Sequence, residues 1–302
     1  MSESGPPTPA DSATVVLLRE PTPGRLEVLL VARHAQSRAF AGAHVFPGGL
    51  VDPADRSPEL LRTIEPRMSA AMASATLGEN AGPEVALAFW VATIRELFEE
   101  AGILLADFAG TPLSFADAAT RDRFAAQRRR LLDGELTFQE LVRHERLVLR
   151  AGDLHYFSRW ITPVHAPRRY DARFFVACVP ADQTPLHDER ETTSAEWLTP
   201  ADALAGAAAG SLILTPPTAR TLEELIDLGS MAHVLASARA RRVTPILPKV
   251  VQIGNHMGVL YPGDVDYERS EPGASLPVES TGPLNRVIMD EAGWRRFRGG
   301  RP

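Results

Sequence analysis

Three glutamates and the arginine before them form the part of the sequence best suited to chemistry. Glu96, Glu99 and Glu100 stand at positions i, i+3 and i+4, so on a helix their carboxylates share one face. Repulsion between like charges at this spacing opposes the helix by about 0.2–0.5 kcal/mol per pair. The backbone dipole disfavours each carboxylate near a helix C-terminus by roughly 0.3–1 kcal/mol. Arg95 can reach Glu99 and offsets part of this repulsion.

This acidic face has two interpretations from the residues alone. A solvated surface is the ordinary one for glutamates on a helix. A bound divalent cation explains better why acids stand against the dipole and against each other. Oxygen ligands from one helix, with room for waters and substrate oxygens, suit Mg²⁺ or Mn²⁺ better than Zn²⁺.

A helix over 83–101 must carry these carboxylates. Pro83 suits a first helical turn, and Gly102 suits the position just past a helix end. Spacings of three and four between apolar residues predict one buried stripe, made of Leu87, Val91, Ile94, Leu97, Phe98 and Ala101. The glutamates lie away from this stripe, in the last turns.

The run over 95–103 resembles the helical half of the Nudix box, Arg-Glu-U-x-Glu-Glu-x-Gly-U with U aliphatic, at every defined position. The opening glycine of the box is identified with Gly49. Gly49 and Arg95 are 46 positions apart where the box has 14, and the excess corresponds to an alanine-rich insertion over 54–82. Asp55 stands six positions after Gly49, where the box has a glutamate.

A second motif, over 29–49, is similar to the signature upstream of the box in Nudix coenzyme A diphosphatases. That signature is Leu-Leu-Thr-x-Arg-Ser/Ala-x3-Arg-x3-Gly-x3-Phe-Pro-Gly-Gly, and only positions 31 and 34 depart from it. Its arginines and glycines keep their register at Arg33, Arg38, Gly42, Gly48 and Gly49. Coenzyme A carries a diphosphate and a 3′-phosphate, and guanidinium groups bind such oxygens in bidentate fashion. The resemblance therefore makes these residues candidates for substrate binding.

The resemblance also implies roles for the acidic residues. Glu96, Glu99 and Glu100 would hold the metal ion, and Arg95 would orient their carboxylates. One of the three, or Glu191, would remove a proton from the attacking water. Glu191 stands where many Nudix proteins carry a further acid, and its rivals in sequence are His187, Asp188 and Glu189.

Composition and charge argue against several other classes of protein. The 302 residues include 38 acids and 32 bases, and the net charge of −6, spread along the chain, argues against nucleic acid and acidic membranes as partners. Two arginine clusters, 128–130 and 239–242, lack interleaved aromatic residues and are predicted to be solvated faces. The single Cys178 has no disulfide partner, which favours a reducing compartment and a cytoplasmic protein. The first residues lack the pattern of a signal peptide, and no segment is suited to span a bilayer.

The predicted elements and the resemblance together indicate an α/β protein. We expect an α/β/α sandwich around a mixed β-sheet, the Nudix fold, with helical insertions. The expected segments are a disordered N-terminus (1–11), a Nudix hydrolase domain (12–230) with insertions at 54–82 and 106–150, and a C-terminal extension (231–302). The first insertion is expected on the surface, and the second is expected to be helical. In the extension we expect a hairpin over 249–261 and a loosely held tail after Asp264.

The activity implied by the resemblance is metal-dependent hydrolysis of a nucleoside diphosphate linked to another group. Coenzyme A or an acyl-CoA is the favoured substrate, with 3′,5′-ADP and (acyl-)4′-phosphopantetheine as products. NADH, ADP-ribose or another dinucleotide is the alternative, since the box sets the chemistry and not the substrate. A non-catalytic module that binds a nucleotide is the second class, and the intact glutamates speak against it. We expect a small-molecule nucleotide of the coenzyme A type as partner, neither nucleic acid nor membrane, and a chain compatible with a homodimer.

Overall fold

The computed structural model describes residues 6–34, 36, 41–78, 82–187, 192–290 and 293–298. Its strands are β1 (Ala10–Arg19), β2 (Glu27–Arg33), β3 (His44–Val45), β4 (Gly48–Leu50), β5 (Ala106–Phe108), β6 (Thr111–Pro112), β7 (Val148–Leu149), β8 (His155–Ile161), β9 (Tyr170–Cys178), β10 (Thr192–Leu198), β11 (Pro245–Ile246), β12 (Lys249–Ile253), β13 (His256–Leu260), β14 (Ser275–Leu276), β15 (Asn285–Asp290) and β16 (Gly293–Arg298). Its α-helices are α1 (Pro58–Leu61), α2 (Ala70–Leu77), α3 (Pro83–Ala101), α4 (Ala118–Leu132), α5 (Phe138–His144), α6 (Pro200–Ala208), α7 (Pro216–Leu228) and α8 (Met231–Ala240). Short 3₁₀ helices cover Pro53–Arg56 and Ala151–Asp153.

A mixed eight-stranded sheet forms the centre of the fold. Its strands run in the order β10-β2-β1-β9-β8-β11, with β3 paired to β2 and β4 paired to β1. The pairs β1–β9 and β8–β11 are parallel, and the other pairs are antiparallel. Because successive side chains of a strand point to opposite faces, Val15 and Leu17 of β1 pack in the core with α3, while Val16 and Leu18 pack in the core with α6, α7 and α8. The predicted α/β/α sandwich around a mixed sheet is confirmed.

Helix α3 begins at Pro83 and ends at Ala101, as the sequence predicts. Gly102 ends the helix with a positive φ of 70°, which glycine adopts without steric cost, and its N–H donates to the carbonyl of Phe98. The predicted single apolar stripe is too narrow, because every residue from Ala86 to Ile94 is buried. None of the helices in the described ranges is both long and apolar enough to cross a bilayer.

The insertion over 54–82 accounts for part of this burial, so the expectation that it lies on the surface is wrong for its apolar residues. Leu60, Ala73 and Leu77 are buried in the same core as α3. Helix α2 begins at the N-cap Ser69, whose side chain accepts from the N–H of Met72 over 3.2 Å. The alanines of α2 are small enough to pack closely against α3. An alanine-rich helix shows little apolar periodicity in the sequence.

Two other expected segments differ from the structure. Disorder over 1–11 is wrong at its end, because Ala10 and Asp11 pair in parallel with Tyr170 and Asp171 of β9. The segment 106–150 contains the helices α4 and α5, and also a three-stranded sheet in the order β6-β5-β7. Strands of two or three residues are too short to show an alternating pattern in the sequence.

The C-terminal residues form a second, five-stranded sheet in the order β14-β12-β13-β15-β16. The hairpin β12–β13 is present as predicted, but the loosely held tail after Asp264 is wrong. The guanidinium of Arg286, in β15, is buried and donates to both carboxylate oxygens of Asp264, with a distance of 2.8 Å from Nε to Oδ2. Its Nη2 also donates to Asp266 over 2.8 Å. Helix α8 and strand β11 pack with the first sheet, so the separate sheet begins at Lys249.

We expect Arg286→Met to lower the free energy of unfolding by about 3–5 kcal/mol, because it leaves the buried carboxylate of Asp264 without its cation. Arg269→Met is the matched control, since Arg269 pairs with Asp266 but its side chain is 66% exposed. The control should lose less than about 1 kcal/mol. Urea unfolding of both variants measures the difference, and equal losses would show that the buried pair does not hold the second sheet.

Candidate active site

The guanidinium of Arg95 joins three carboxylates near the end of α3. Its Nε and Nη2 donate to Oδ1 and Oδ2 of Asp55 over 2.9 and 3.0 Å. Its Nη1 donates to Oε1 of Glu96 over 2.8 Å and to Oε2 of Glu99 over 3.1 Å. Nη2 also donates to the carbonyl of Leu50 over 2.9 Å. The expected contact of Arg95 with Glu99 is present, and the same side chain ties α3 to the chain that follows β4.

Asp55 is the acid at the position where the Nudix box has a glutamate. It is buried in the 3₁₀ helix Pro53–Arg56, and the N–H of Asp52 donates to its Oδ2 over 2.8 Å. This capping box holds the carboxylate toward Arg95 in the parallel, bidentate geometry of strong guanidinium–carboxylate pairs. The sequence marks the position of the acid but gives no sign of its partner, which is 40 residues away.

Glu100 and Glu96 each approach one of the paired glycines of β4. The N–H of Gly48 donates to Oε2 of Glu100 over 2.8 Å, and the Glu100 side chain is buried. A Cβ on Gly49 would lie 2.4 Å from the carboxyl carbon of Glu96. Strand β4 is held in place by antiparallel pairing with β1, where Thr14 lies opposite Gly48. The four predicted residues Gly48, Gly49, Glu96 and Glu100 are therefore brought together.

The site holds more carboxylates than cations. Burial raises the pKa of Glu96 to about 7, an effect that Arg95 opposes and the charge of Glu99 increases. For Arg95, burial lowers the pKa, but the hydrogen bond to Asp55 and the neighbouring carboxylates outweigh it and hold the pKa above its usual value. Within the described ranges, no three His, Cys, Asp or Glu side chains are already arranged around a common point as metal ligands. The carboxylate oxygens nevertheless have the chemistry that hard divalent cations prefer.

The last turn of α3 is also held by a residue from the second insertion. Arg128, in α4, is buried, and its Nε and Nη2 donate to the carbonyl of Glu99 over 3.0 and 2.8 Å. The prediction of a solvated face over 128–130 is wrong for this residue, because its guanidinium satisfies a helix-terminal carbonyl. A cation at this end also opposes the dipole that disfavours the glutamates.

Two other predicted substrate residues lie where the chain leaves β2 and approaches the segment 44–50, which crosses from β2 to β1. Arg33 ends β2, is partly buried, and its N–H donates to the carbonyl of Ala43 over 2.9 Å. Gly42 has a φ of 70°, and a Cβ added there would meet Ile213 rather than a carboxylate. A turn conformation is thus a sufficient reason for glycine at this position. Arg38, Asp188, Glu189 and Glu191 lie outside the described residues.

Both ends of the short segment that contains Glu191 are described. At one end, the N–H of Leu186 donates to the carbonyl of Ala101, at the C-terminus of α3, over 2.9 Å. At the other end, Thr192 lies opposite Arg33 in the β10–β2 pair. Sequence reasoning missed Gln183, which is buried and accepts from the N–H of Leu104 over 2.8 Å. Nothing in the local pattern distinguishes this glutamine from one in an ordinary loop.

A fold of this kind, with a carboxylate-bearing helix at the sheet, is found in Nudix hydrolases. A crystal structure of a Nudix hydrolase from Alicyclobacillus acidocaldarius superposes with a TM-score of 0.60 and 26% identity, covering 79% of this chain and 99% of that one. The profile of the NUDT19 Nudix domain matches residues 10–225. The chain belongs to the NUDT19 Nudix domain family and is a hydrolase of the Nudix type.

Two curated relatives extend the match over most of the chain. The acyl-coenzyme A diphosphatase NUDT19 of Gallus gallus is 30% identical, over 92% of this chain and 85% of the relative. The acyl-coenzyme A diphosphatase NUDT19 of Homo sapiens is 26% identical, over 82% of this chain and 74% of the relative. The match to the chicken relative therefore extends beyond the Nudix domain into the second sheet.

We expect alanine at the two glycines of β4 to have different effects, one on turnover and one on stability. In Gly49→Ala the new Cβ meets the side-chain end of Glu96 and no backbone atom, so the fold should persist while displacement of that carboxylate lowers kcat by about a hundredfold. In Gly48→Ala the Cβ would lie 2.4 Å from the carbonyl of Ala13, so the loss should be in stability, by about 1–3 kcal/mol. Thermal unfolding and initial rates on each variant separate the two effects.

Gly82→Ala is the control for this pair, because no described atom lies within 4 Å of a Cβ there. Gly82→Ala should leave both the unfolding temperature and kcat close to their wild-type values. A Gly49→Ala enzyme with the wild-type rate would show that the position of Glu96 does not matter for turnover.

We also expect Arg128→Ala to lower kcat with little change in KM, because the carbonyl of Glu99 loses its two donors while the substrate side of the site is untouched. The loss of stability should be about 1.5–3 kcal/mol, the usual range for hydrogen bonds from a charged group. Arg128→Lys should restore part of kcat, whereas the exposed neighbour Arg129→Ala should behave as wild type. A rise in KM alone would contradict this role in positioning.

Proposed function

We propose that the chain hydrolyses the diphosphate of coenzyme A or an acyl-CoA, giving 3′,5′-ADP and (acyl-)4′-phosphopantetheine. Two features support this substrate class. One is the name shared by the relatives from chicken and human, acyl-coenzyme A diphosphatase. The other is the run of arginines and glycines over 29–49, which is similar to the signature of coenzyme A diphosphatases.

The observation that carries the proposal is the carboxylate cluster around Arg95. Glu96 and Glu99 share one guanidinium nitrogen, and Glu100 is fixed by the N–H of Gly48. Surface glutamates need no such support. A buried guanidinium and a backbone donor orient three acids on one helix. This arrangement supports a site that binds a cation.

The residues that would hold a divalent cation are Glu96, Glu99 and Glu100. We propose Mg²⁺ or Mn²⁺, which when bound would polarise the phosphoryl oxygens and lower the pKa of a coordinated water. Arg95 would keep the carboxylates apart and oriented, since it contacts two of the three. As the water oxygen bonds to one phosphorus, the bond from that phosphorus to the bridging anhydride oxygen would break. The bridging oxygen would leave as part of the other phosphate and carry the negative charge.

The substrate anions would be met near the end of β2. We propose Arg33 and Arg38 as ligands of the diphosphate or 3′-phosphate, with Gly42 forming the turn before β3 and with Gly48 and Gly49 bringing β4 close to Glu100 and Glu96. For the proton of the attacking water, Glu191 and the three helix glutamates remain alternatives. Glu191 is supported by the described ends of its segment, which lie at the C-terminus of α3 and beside Arg33.

The expected substrate order is coenzyme A or acyl-CoA first, with NADH and ADP-ribose clearly slower. Turnover should need Mg²⁺ or Mn²⁺ and stop when EDTA removes it. A chromatographic assay that quantifies the two phosphomonoester products formed by the purified full chain ranks the substrates by kcat/KM. Equal rates on the three substrates would reject the coenzyme A assignment but keep the hydrolase. No turnover of any of them would favour a module that only binds nucleotides.

Glu100→Gln is the matched variant for the site. The amide oxygen can still accept from the N–H of Gly48, so the local geometry is retained and only the charge is lost. We expect kcat to fall by about a hundredfold or more. A variant with near wild-type turnover would remove Glu100 from the proposed site.

The homodimer and the cytoplasmic location stay predictions from the sequence.

A further inference from the structure

A second cavity lies at the β8 edge of the first sheet, away from the carboxylate cluster. Its volume is about 710 Å³, within the range of about 300–1,000 Å³ that is usual for small-molecule sites. Helix α2 forms one wall, and the chain over 238–245 forms another as it passes the sheet edge. Leu77, Trp90, Leu154 and Tyr156 form a buried floor, and the apolar side chains open to solvent are those of Met68, Ala75, Val243 and Pro245. Two segments outside the central sheet, the insertion in the box and the start of the C-terminal extension, thus build the cavity together.

The polar lining of this cavity is cationic. Its charged side chains are Arg159, Arg239, Arg241 and Arg242, and no Asp or Glu is among the described residues that line it. Arg159 is neutralised by Asp171, with Nη2 to Oδ2 at 2.6 Å, and Arg241 is neutralised by Glu224 at 2.8 Å.

The other two arginines have no carboxylate partner in the described part of the chain. Arg239 donates from Nε to Nε2 of His155 over 3.3 Å, and Arg242 is exposed at the rim. Burial, and then the charge of Arg239, lower the pKa of His155, and the charge of Asp153 opposes this shift. The imidazole therefore favours its neutral form and can act as the acceptor of this hydrogen bond. The cavity combines partly exposed apolar side chains with two exposed arginines that form no direct ion pair with a described carboxylate.

This cavity is separate from the proposed catalytic site. None of the residues that contact Arg95 lines it. Trp90 precedes Glu96 by six residues of α3, which is a rise of about 9 Å. Strand β9 also lies between β1, which holds β4 and its glycines, and β8, which borders the cavity.

We propose that this cavity binds a small amphiphilic anion, whose apolar body packs against the partly exposed Met68 and Val243 and whose carboxylate or phosphate group pairs with Arg239 and Arg242. An apolar ligand alone would leave the two guanidinium groups without an anion, and a bare anion would leave these apolar side chains open to water. The proposal is independent of the substrate assigned to the catalytic site.

Isothermal titration of the full chain tests this with four probes: decanoate, decyl phosphate, inorganic phosphate and the uncharged decyl maltoside. Decanoate and decyl phosphate should bind with one site per chain, and the tighter of the two identifies the head group. Inorganic phosphate and decyl maltoside should bind at least about tenfold more weakly, because each lacks one half of the interaction.

Two variants locate the binding. Arg239→Gln with Arg242→Gln removes the cations, and Ala75→Trp places a bulky ring from the exposed face of α2 into the cavity without a change of charge. Both should weaken decanoate and decyl phosphate by about tenfold or more and leave diphosphate hydrolysis unchanged. Arg129→Gln, on α4, removes one exposed charge elsewhere and should bind as wild type.

The proposal is overturned if neither amphiphile binds, or if both cavity variants bind as wild type. Equal weakening by Arg129→Gln would show attraction to the whole protein rather than to a site. A rise in the KM for coenzyme A with decanoate, abolished by the double arginine variant, would make the cavity part of the catalytic cleft and would also overturn it.

Discussion

The pairing of one guanidinium with three carboxylates is the interaction on which the rest of the site depends. Arg95 donates to Asp55 on one side and to Glu96 and Glu99 on the other. Acids this close repel each other strongly in a partly buried place, where charge interactions are less screened than in water. The guanidinium balances part of that repulsion and also fixes direction, because its N–H groups form a rigid planar fork. It therefore determines where the carboxylates of α3 point.

The end of α3 needs further donors, since a helix C-terminus carries unpaired carbonyls as well as unfavourable charges. Three donors come from three separate parts of the chain. Gly48 supplies an N–H to Glu100, Arg128 supplies two N–H groups to the carbonyl of Glu99, and Leu186 supplies an N–H to the carbonyl of Ala101. The turn that carries the acids is thus held by β4, by the second insertion and by the loop before β10. The position of the three glutamates therefore depends on contacts from the whole domain.

The sequence predicts the local part of this arrangement and misses the long-range part. Helix α3 and its glutamates could be predicted because proline, glycine and apolar spacing act within a few residues. The partner of Asp55 is 40 residues away, and Arg128 is 29 residues from Glu99. Such pairs produce no periodic pattern in the sequence. The sequence of a polar helix therefore does not distinguish a buried arginine from an exposed one. The tail after Asp264 was mispredicted for the same reason, because an ion pair with Arg286 orders residues whose composition suggests a loose chain.

The division of the box by the insertion over 54–82 is compatible with an intact site because folding depends on where the ends of a segment meet. Lengthening a loop raises the entropy of closure only slowly, by about 0.6 kcal/mol per doubling. The insertion also buries Leu60, Ala73 and Leu77 in the core of α3, which gives back stability. Asp55 lies at the start of the insertion and binds Arg95 beyond its end, so the ion pair closes the loop at the point where the unsplit box would be continuous. The inserted residues therefore support α3 from outside the motif, and they leave Asp55 in contact with Arg95 although the two are 40 residues apart.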